Sequence, residues 1–182
     1  VQLAPFKPIQ DQPGDSDWAE LREAQLNATK VLPNVGMAVI TDVGMEHNIH
    51  PTKKAPVGAR LALAARKIAY NQDIAYSGPI FKKMKIKGDK AILSFDHVDG
   101  GLEAREGALK GFSICGKDKK FVWASAEIQG DKIVVSSSQV EKPIAVRFGW
   151  ADYPVVNLWN KAGLPASPFR TDNFPMITAP KE

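Results

Sequence analysis

Cysteine occurs once, at position 115, and histidine three times, at positions 47, 50 and 97. A lone thiol excludes an internal disulfide and any metal centre built from several thiolates. No apolar run approaches the roughly 20 residues that a membrane-crossing helix needs, so no membrane partner is expected. Aromatic residues are few, at 8%, and the lysines are scattered rather than interleaved with them, so no nucleic-acid partner is expected either. The excess of positive charge is small, 24 basic against 20 acidic residues. What is present is ordinary: 44% apolar and 24% charged residues exclude disorder and a fibrous fold. The 182 residues suffice for one domain or two small ones. Residue 1 is valine, and Val1-Gln2-Leu3-Ala4-Pro5 reads as the tail of a strand, so the chain is expected to be a piece of a longer polypeptide.

Two regions differ in grammar. After a turn-rich stretch with Pro8, Pro13 and Gly14, Asp17 stands three before Glu20, an acidic pair suited to a helix start. Trp18, Leu21, Ala24, Gln25 and Ala28 follow at helical spacing, which predicts an amphipathic helix over 17–30, ended by Pro33 and Asn34. Val35 to Val43 is nearly all apolar and β-branched in part, as expected of a strand buried on both faces. Pro56 then suits the first turn of a second helix, with Val57, Leu61, Ala64, Ala65 and Ile68 on one face. Strands alternating with helices in this order predict α/β architecture and a parallel sheet.

Near Tyr76 the pattern becomes one of short strands and tight turns. Lys82–Lys87 and Ala91–Phe95 flank Gly88-Asp89; Phe112–Cys115, Phe121–Ile128, Ile133–Ser136 and Ile144–Trp150 follow, with Gly130-Asp131 as another hairpin turn. That spacing predicts an antiparallel β-sandwich. From Pro154 onward Pro165, Pro168, Pro175 and Pro180 forbid a helix, so the tail is expected to be a strap anchored by Phe169 and Phe174.

Chemistry concentrates in Asp42-Val43-Gly44-Met45-Glu46-His47-Asn48-Ile49-His50-Pro51, the loop that leaves the expected strand at its carboxyl end. Open α/β sheets bind ligands at such ends. A carboxylate beside a histidine can fix its tautomer and stabilise the imidazolium formed when it takes a proton. Two other readings stay open: Glu46, His47 and His50 as metal ligands, at a spacing that fits no closed zinc pattern, or two histidines in water. Gly14-Asp15-Ser16 looks like an esterase nucleophile motif, but a nucleophile elbow needs a buried strand before it, and a proline-rich loop stands there. Ser16 therefore reads as part of the helix start. Cys115, inside an alternating strand, reads as a small buried hydrophobe. Trp123, Trp150 and Trp159 read as sandwich core or domain interface, with ligand contact kept open for Trp159; Arg147 and Arg170 read as partners of a carboxylate such as Asp152 or Asp172.

Several segments carry a resemblance. Val1–Pro5, Trp18-Ala19-Glu20-Leu21-Arg22-Glu23-Ala24-Gln25, Ile49-His50-Pro51, Val57-Gly58, Arg60–Leu63, Gly78-Pro79, Val146–Trp150 and Asn157-Leu158 through Leu164-Pro165-Ala166-Ser167-Pro168-Phe169-Arg170-Thr171-Asp172 resemble the carboxyl-terminal part of the sialate O-acetylesterase family. These are SGNH-type carbohydrate acetylesterases that use a serine activated by histidine. The resemblance implies that His50 is the catalytic base. Many SGNH enzymes place an aspartate three residues before that histidine; here the position holds His47, so Asp42 is the aspartate expected to orient His50. The serine and oxyanion segments of the family precede the strand ending at Pro5, and the 34 positions from Ser16 to His50 are too few to hold the elements between them.

The expectation is thus a carbohydrate O-acetylesterase, a serine-type ester hydrolase, in two parts. Residues 1–74 would be the carboxyl-terminal part of a flavodoxin-like α/β domain carrying His50 and Asp42, and residues 75–182 a β-sandwich with its strap. No cofactor or metal is implied. The partners expected are an O-acetylated sugar and an amino-terminal fragment or subunit bearing the serine, without which the chain would be inactive, and the family's glycan substrates imply a secreted or periplasmic setting. The alternative is a non-catalytic carbohydrate-binding or interaction module built on the sandwich.

Overall fold

A computed structural model describes residues 1–180. Its first regular element is the helix α1, Asp17–Val31, close to the span that the spacing predicts. The cap is Ser16, one residue earlier than the acidic pair suggests: its hydroxyl accepts from the Ala19 N–H at 2.9 Å. The buried face also differs. Ala19, Glu20, Arg22 and Leu26 point inward while Leu21 is about half exposed, because Arg22 and Glu20 each find a full set of internal partners and so displace the apolar stripe. The second helix, α2, spans Ala55–Ile68 with Pro56 in its first turn. Arg60 and Ala64 form its buried line, and Leu61 faces outward, contrary to the expected face. Gly36 allows this packing, since a Cβ there would come within 2.7 Å of Ile68 and 2.9 Å of Ala64.

Among the described residues every paired strand is antiparallel and lies beyond residue 79, so the expected parallel sheet is not formed in residues 1–74. Ala38–Ile40 is buried and extended, but Val35 is exposed and the chain turns at Thr41, where the Val43 N–H donates to Ile40 O. Residues 1–5 run beside this segment in the same direction: the Gln2 N–H donates to Ala38 O at 2.9 Å, and Pro5 lies against Gly44. One backbone bond is too few to make a ladder, which is why the parallel pairing implied by the sequence stays irregular.

The remaining elements are β1 Ile80–Lys87, β2 Lys90–Asp96, β3 Leu102–Ala104, β4 Phe112–Cys115, β5 Val122–Trp123, β6 Ser125–Gln129, β7 Lys132–Ser136, β8 Ala145–Phe148, β9 Leu158–Asn160 and β10 Phe169–Arg170. They form a sheet of order β1-β2-β7-β6, a second of order β10-β8-β4-β5, and the pair β3-β9. The stretch Phe121–Ile128 does not make one strand. It breaks at Ala124, whose N–H donates to Phe112 O, so β5 pairs with β4 while β6 pairs with β7 in the other sheet. Both sheets feed one apolar cluster that includes Leu93, Ile133, Phe112, Ile114, Val146, Phe148 and Phe169. Phe169 stacks on Phe81 at 4.6 Å, so the tail is anchored where its aromatic residue predicts. The tail then reaches α1: Glu20 accepts from the Ile177 and Thr178 N–H groups, and Arg170 donates to Glu23. No helix is long and apolar enough to cross a membrane.

Candidate functional site

The loop 42–50 is held at four points. Asp42 accepts a bidentate pair from Arg60, at 2.6 and 2.8 Å, and Arg60 also donates to Val39 O at 2.9 Å, which ties the end of the extended segment to α2. Gly44 lies so close to Pro5 that a Cβ would meet it at 2.4 Å. Tyr153 donates its hydroxyl to Gly44 O at 3.3 Å, and Glu46 accepts from the Ile9 N–H at 3.0 Å. The last turn is local: Asn48 Oδ1 accepts from the His50 N–H at 2.9 Å, and Pro51 is buried behind it. A loop with so many fixed points holds an exposed residue in a defined place.

His50 is exposed, and its imidazole has no hydrogen-bond partner among the described residues. No hydrogen bond joins it to Asp42, whose carboxylate oxygens each accept from Arg60. The two charge-assisted bonds to the buried guanidinium fix Asp42 at the start of the loop. The metal reading of this loop gains nothing: among the described residues no group of three metal-ligating side chains converges, and His47 is exposed with Glu46 3.9 Å away. Arg60 was not evident from apolar spacing, yet its place one turn before Ala64 on the inner face of α2 marks it. Its guanidinium also sits 5.4 Å from the centre of the Trp159 ring, which the Arg105 guanidinium covers at 3.8 Å, so Trp159 is core rather than an open sugar platform.

Beside this loop lies a cleft of about 410 Å³. Ile9 and Tyr153, which bond the loop, both line it; His50 does not. Its other walls come from the turn-rich 10–15 stretch, from the end of β5 at Trp123 and from Gly149–Val155. Ser16, read from sequence as part of the helix start, is that cap: it also donates to Asp152, and no histidine touches it. Asp152 is further held by Lys7 at 2.9 Å. Burial raises the Asp152 carboxyl, but the Ser16 hydroxyl and the Lys7 ammonium more than offset this and hold it below its ordinary value of 3.8. Arg147 pairs with Asp172 at 2.9 and 3.1 Å and with Asp15 at 3.2 Å, while Arg170 pairs with Glu23. Cys115 is buried as expected, and burial with the nearby Asp172 charge pushes its thiol up to about 11.

No protein-family model matches the chain. It is 28% identical over 133 residues to the sialate O-acetylesterase of Mus musculus, covering 68% of this chain and 24% of that protein. To the Homo sapiens sialate O-acetylesterase it is 27% identical over 154 residues, 76% of this chain and 29% of that one. A solved structure, a carbohydrate acetylesterase from Xanthomonas citri, superposes with a TM-score of 0.89 at 48% identity, over 95% of this chain and 40% of that one. The chain therefore spans well under half the length of the proteins it matches. These likenesses support the resemblance read from the sequence: the chain is similar to the sialate O-acetylesterases and to the Xanthomonas carbohydrate acetylesterase.

Proposed function

We propose that this chain is part of a carbohydrate O-acetylesterase and supplies its general base, His50, while another stretch of polypeptide, on an amino-terminal segment or subunit, supplies the serine. In this reading residues 1–74 present the base and residues 75–182 form a sandwich that supports it. The observation that carries it is the likeness to a carbohydrate acetylesterase, 48% identical over 95% of this chain. Two features of the site support it. The His50 ring is exposed and unengaged on a loop fixed at its other positions, and Ser16, the serine of the Gly14-Asp15-Ser16 motif, caps α1 and bonds Asp152 with no histidine on it.

The reaction follows from acyl-transfer chemistry. His50 takes the proton of the serine hydroxyl as the oxygen attacks the acetyl carbonyl, then gives that proton to the departing sugar alkoxide. Water, deprotonated by His50, attacks the acetyl-serine; acetate leaves and the serine recovers its proton. Asp42 acts at one remove as a positioning residue, because its pair with Arg60 fixes the loop from which His50 projects. On the assembled esterase with an aryl acetate as substrate, His50→Ala should lower kcat by about 10³-fold or more. Activity that survives this substitution removes His50 from the mechanism. Loss of activity in Asp42→Asn that follows the melting of the loop, with an unchanged pH–rate profile, separates positioning from direct contact with the imidazole.

A further inference from the structure

The cleft next to the His50 loop has a use that acyl transfer alone does not require. Trp123 stands on its wall and is 43% exposed, although a large aromatic side chain gains most from burial. Its one polar group is already satisfied, because the indole N–H donates to Asp11 O at 2.8 Å. That bond fixes the ring and leaves an apolar, electron-rich surface as what Trp123 offers to the solvent side. Trp150, on the same wall, is buried, and its ring is covered by Arg147 and Arg170 at 5.1 and 5.5 Å, so it is not a second open platform.

Around the exposed ring stand groups suited to hydroxyls. Asp15 is largely exposed and shares only one oxygen with Arg147, which leaves the other free to accept. Gln12 contributes an amide that can both donate and accept, and the Lys110 ammonium is a further donor on the lining. An aromatic face in a cleft that Asp15, Gln12 and Lys110 also line matches a pyranose ring, whose C–H face is apolar and whose rim is hydroxylated. The volume, about 410 Å³, lies in the range of small-ligand clefts, ~300–1,000 Å³.

We infer that this cleft binds a pyranose unit of an oligosaccharide by stacking on Trp123; two of its lining residues, Ile9 and Tyr153, bond the loop that carries His50. The inference deepens the reading above and rests on it for the link to the ester. It does not rest on it for the binding itself, which is measurable without hydrolysis.

The test is a calorimetric titration of the full chain with cellotetraose and, separately, with 3′-sialyllactose, which distinguishes a neutral β-linked glucan from a sialylated sugar. At least one of them should bind, with affinity reduced about tenfold in Trp123→Ala and partly kept in Trp123→Phe. A thermal melt confirms that the variants are folded, and Asp15→Asn should weaken the same sugar with the ring intact. If neither sugar binds, or if Trp123→Ala binds as tightly as the parent, the inference is overturned. Binding that depends on Trp123 in a chain that no assembly makes hydrolytic leaves the cleft assigned and removes the esterase reading. Hydrolysis that depends on His50, with no sugar binding in the cleft, does the reverse.

Discussion

Asp152 shows how one side chain can be read from the sequence as a charge and still be misplaced as a partner. The expectation paired it with Arg147 or Arg170, but it holds Lys7 and Ser16, and Arg22 bonds its backbone carbonyl at 2.8 Å instead. Partner choice here depends on which segments the fold brings together, which no local spacing records. Its carboxyl lies below the ordinary 3.8 in the folded chain, so the folded state binds fewer protons than the unfolded one in mild acid. The stability this gives is present above the unfolded value and is lost as the pH falls through the folded one. Asp152→Asn should therefore cost stability at pH 7, and the gap from the parent should shrink as the pH drops below 3.8. Urea midpoints at pH 7, 4 and 3 measure this. A gap that stays constant would show that the charge of Asp152 contributes nothing.

At the scale of elements, the parts with strong local signals were legible and the short ones were not. The Gly88-Asp89 and Gly130-Asp131 turns fix two hairpins because both glycines sit near φ +60, where other residues are strained. β3, β9 and β10 hold two or three residues each, and pairing of that length exists only because the rest of the fold aligns it. The buried faces of α1 and α2 were misread because Arg22 and Arg60 go inside, Arg22 onto four backbone carbonyls and Arg60 onto Val39 O and the Asp42 carboxylate. The clamp that fixes the 42–50 loop was not legible, because its partners Pro5, Ile9, Arg60 and Tyr153 lie far along the chain. Gly44 tests that clamp. A methyl there would meet the ring and carbonyl of Pro5, neither of which can swing aside, so Gly44→Ala should cost about 1–3 kcal/mol and displace the loop. Gly58→Ala, on α2 with nothing within 4 Å of the added methyl, should be neutral or stabilise by about 0.5–1 kcal/mol. Equal effects of the two in a thermal melt would mean that the loop is not held against Pro5.

Over the whole molecule, the change of grammar near Tyr76 does not mark a loose joint. Arg22, with no exposed surface, donates from α1 to Leu3 O and Ala4 O on one side and to Ala151 O and Asp152 O on the other. Burial lowers its guanidinium to about 10, an effect that the nearby Asp152 charge only partly offsets. Gln2 donates to Ser167 at 3.0 Å, and the buried Glu20 takes three donors from Ile177 and Thr178. The Arg22 bonds to Ala151 O and Asp152 O, the Gln2 bond and the Glu20 bonds cross between residues 1–74 and residues 75–180, and each leaves a buried polar group stranded if the two separate. The halves should therefore unfold together, with tryptophan fluorescence and far-UV circular dichroism giving one coincident urea transition. Arg22→Met, which keeps the volume but strands four carbonyls, should lower that transition by about 3–5 kcal/mol without splitting it. Two separated transitions in the parent chain would show that the crossing bonds do not couple the halves. In that case a sandwich able to fold and act alone would become the better account of residues 75–182.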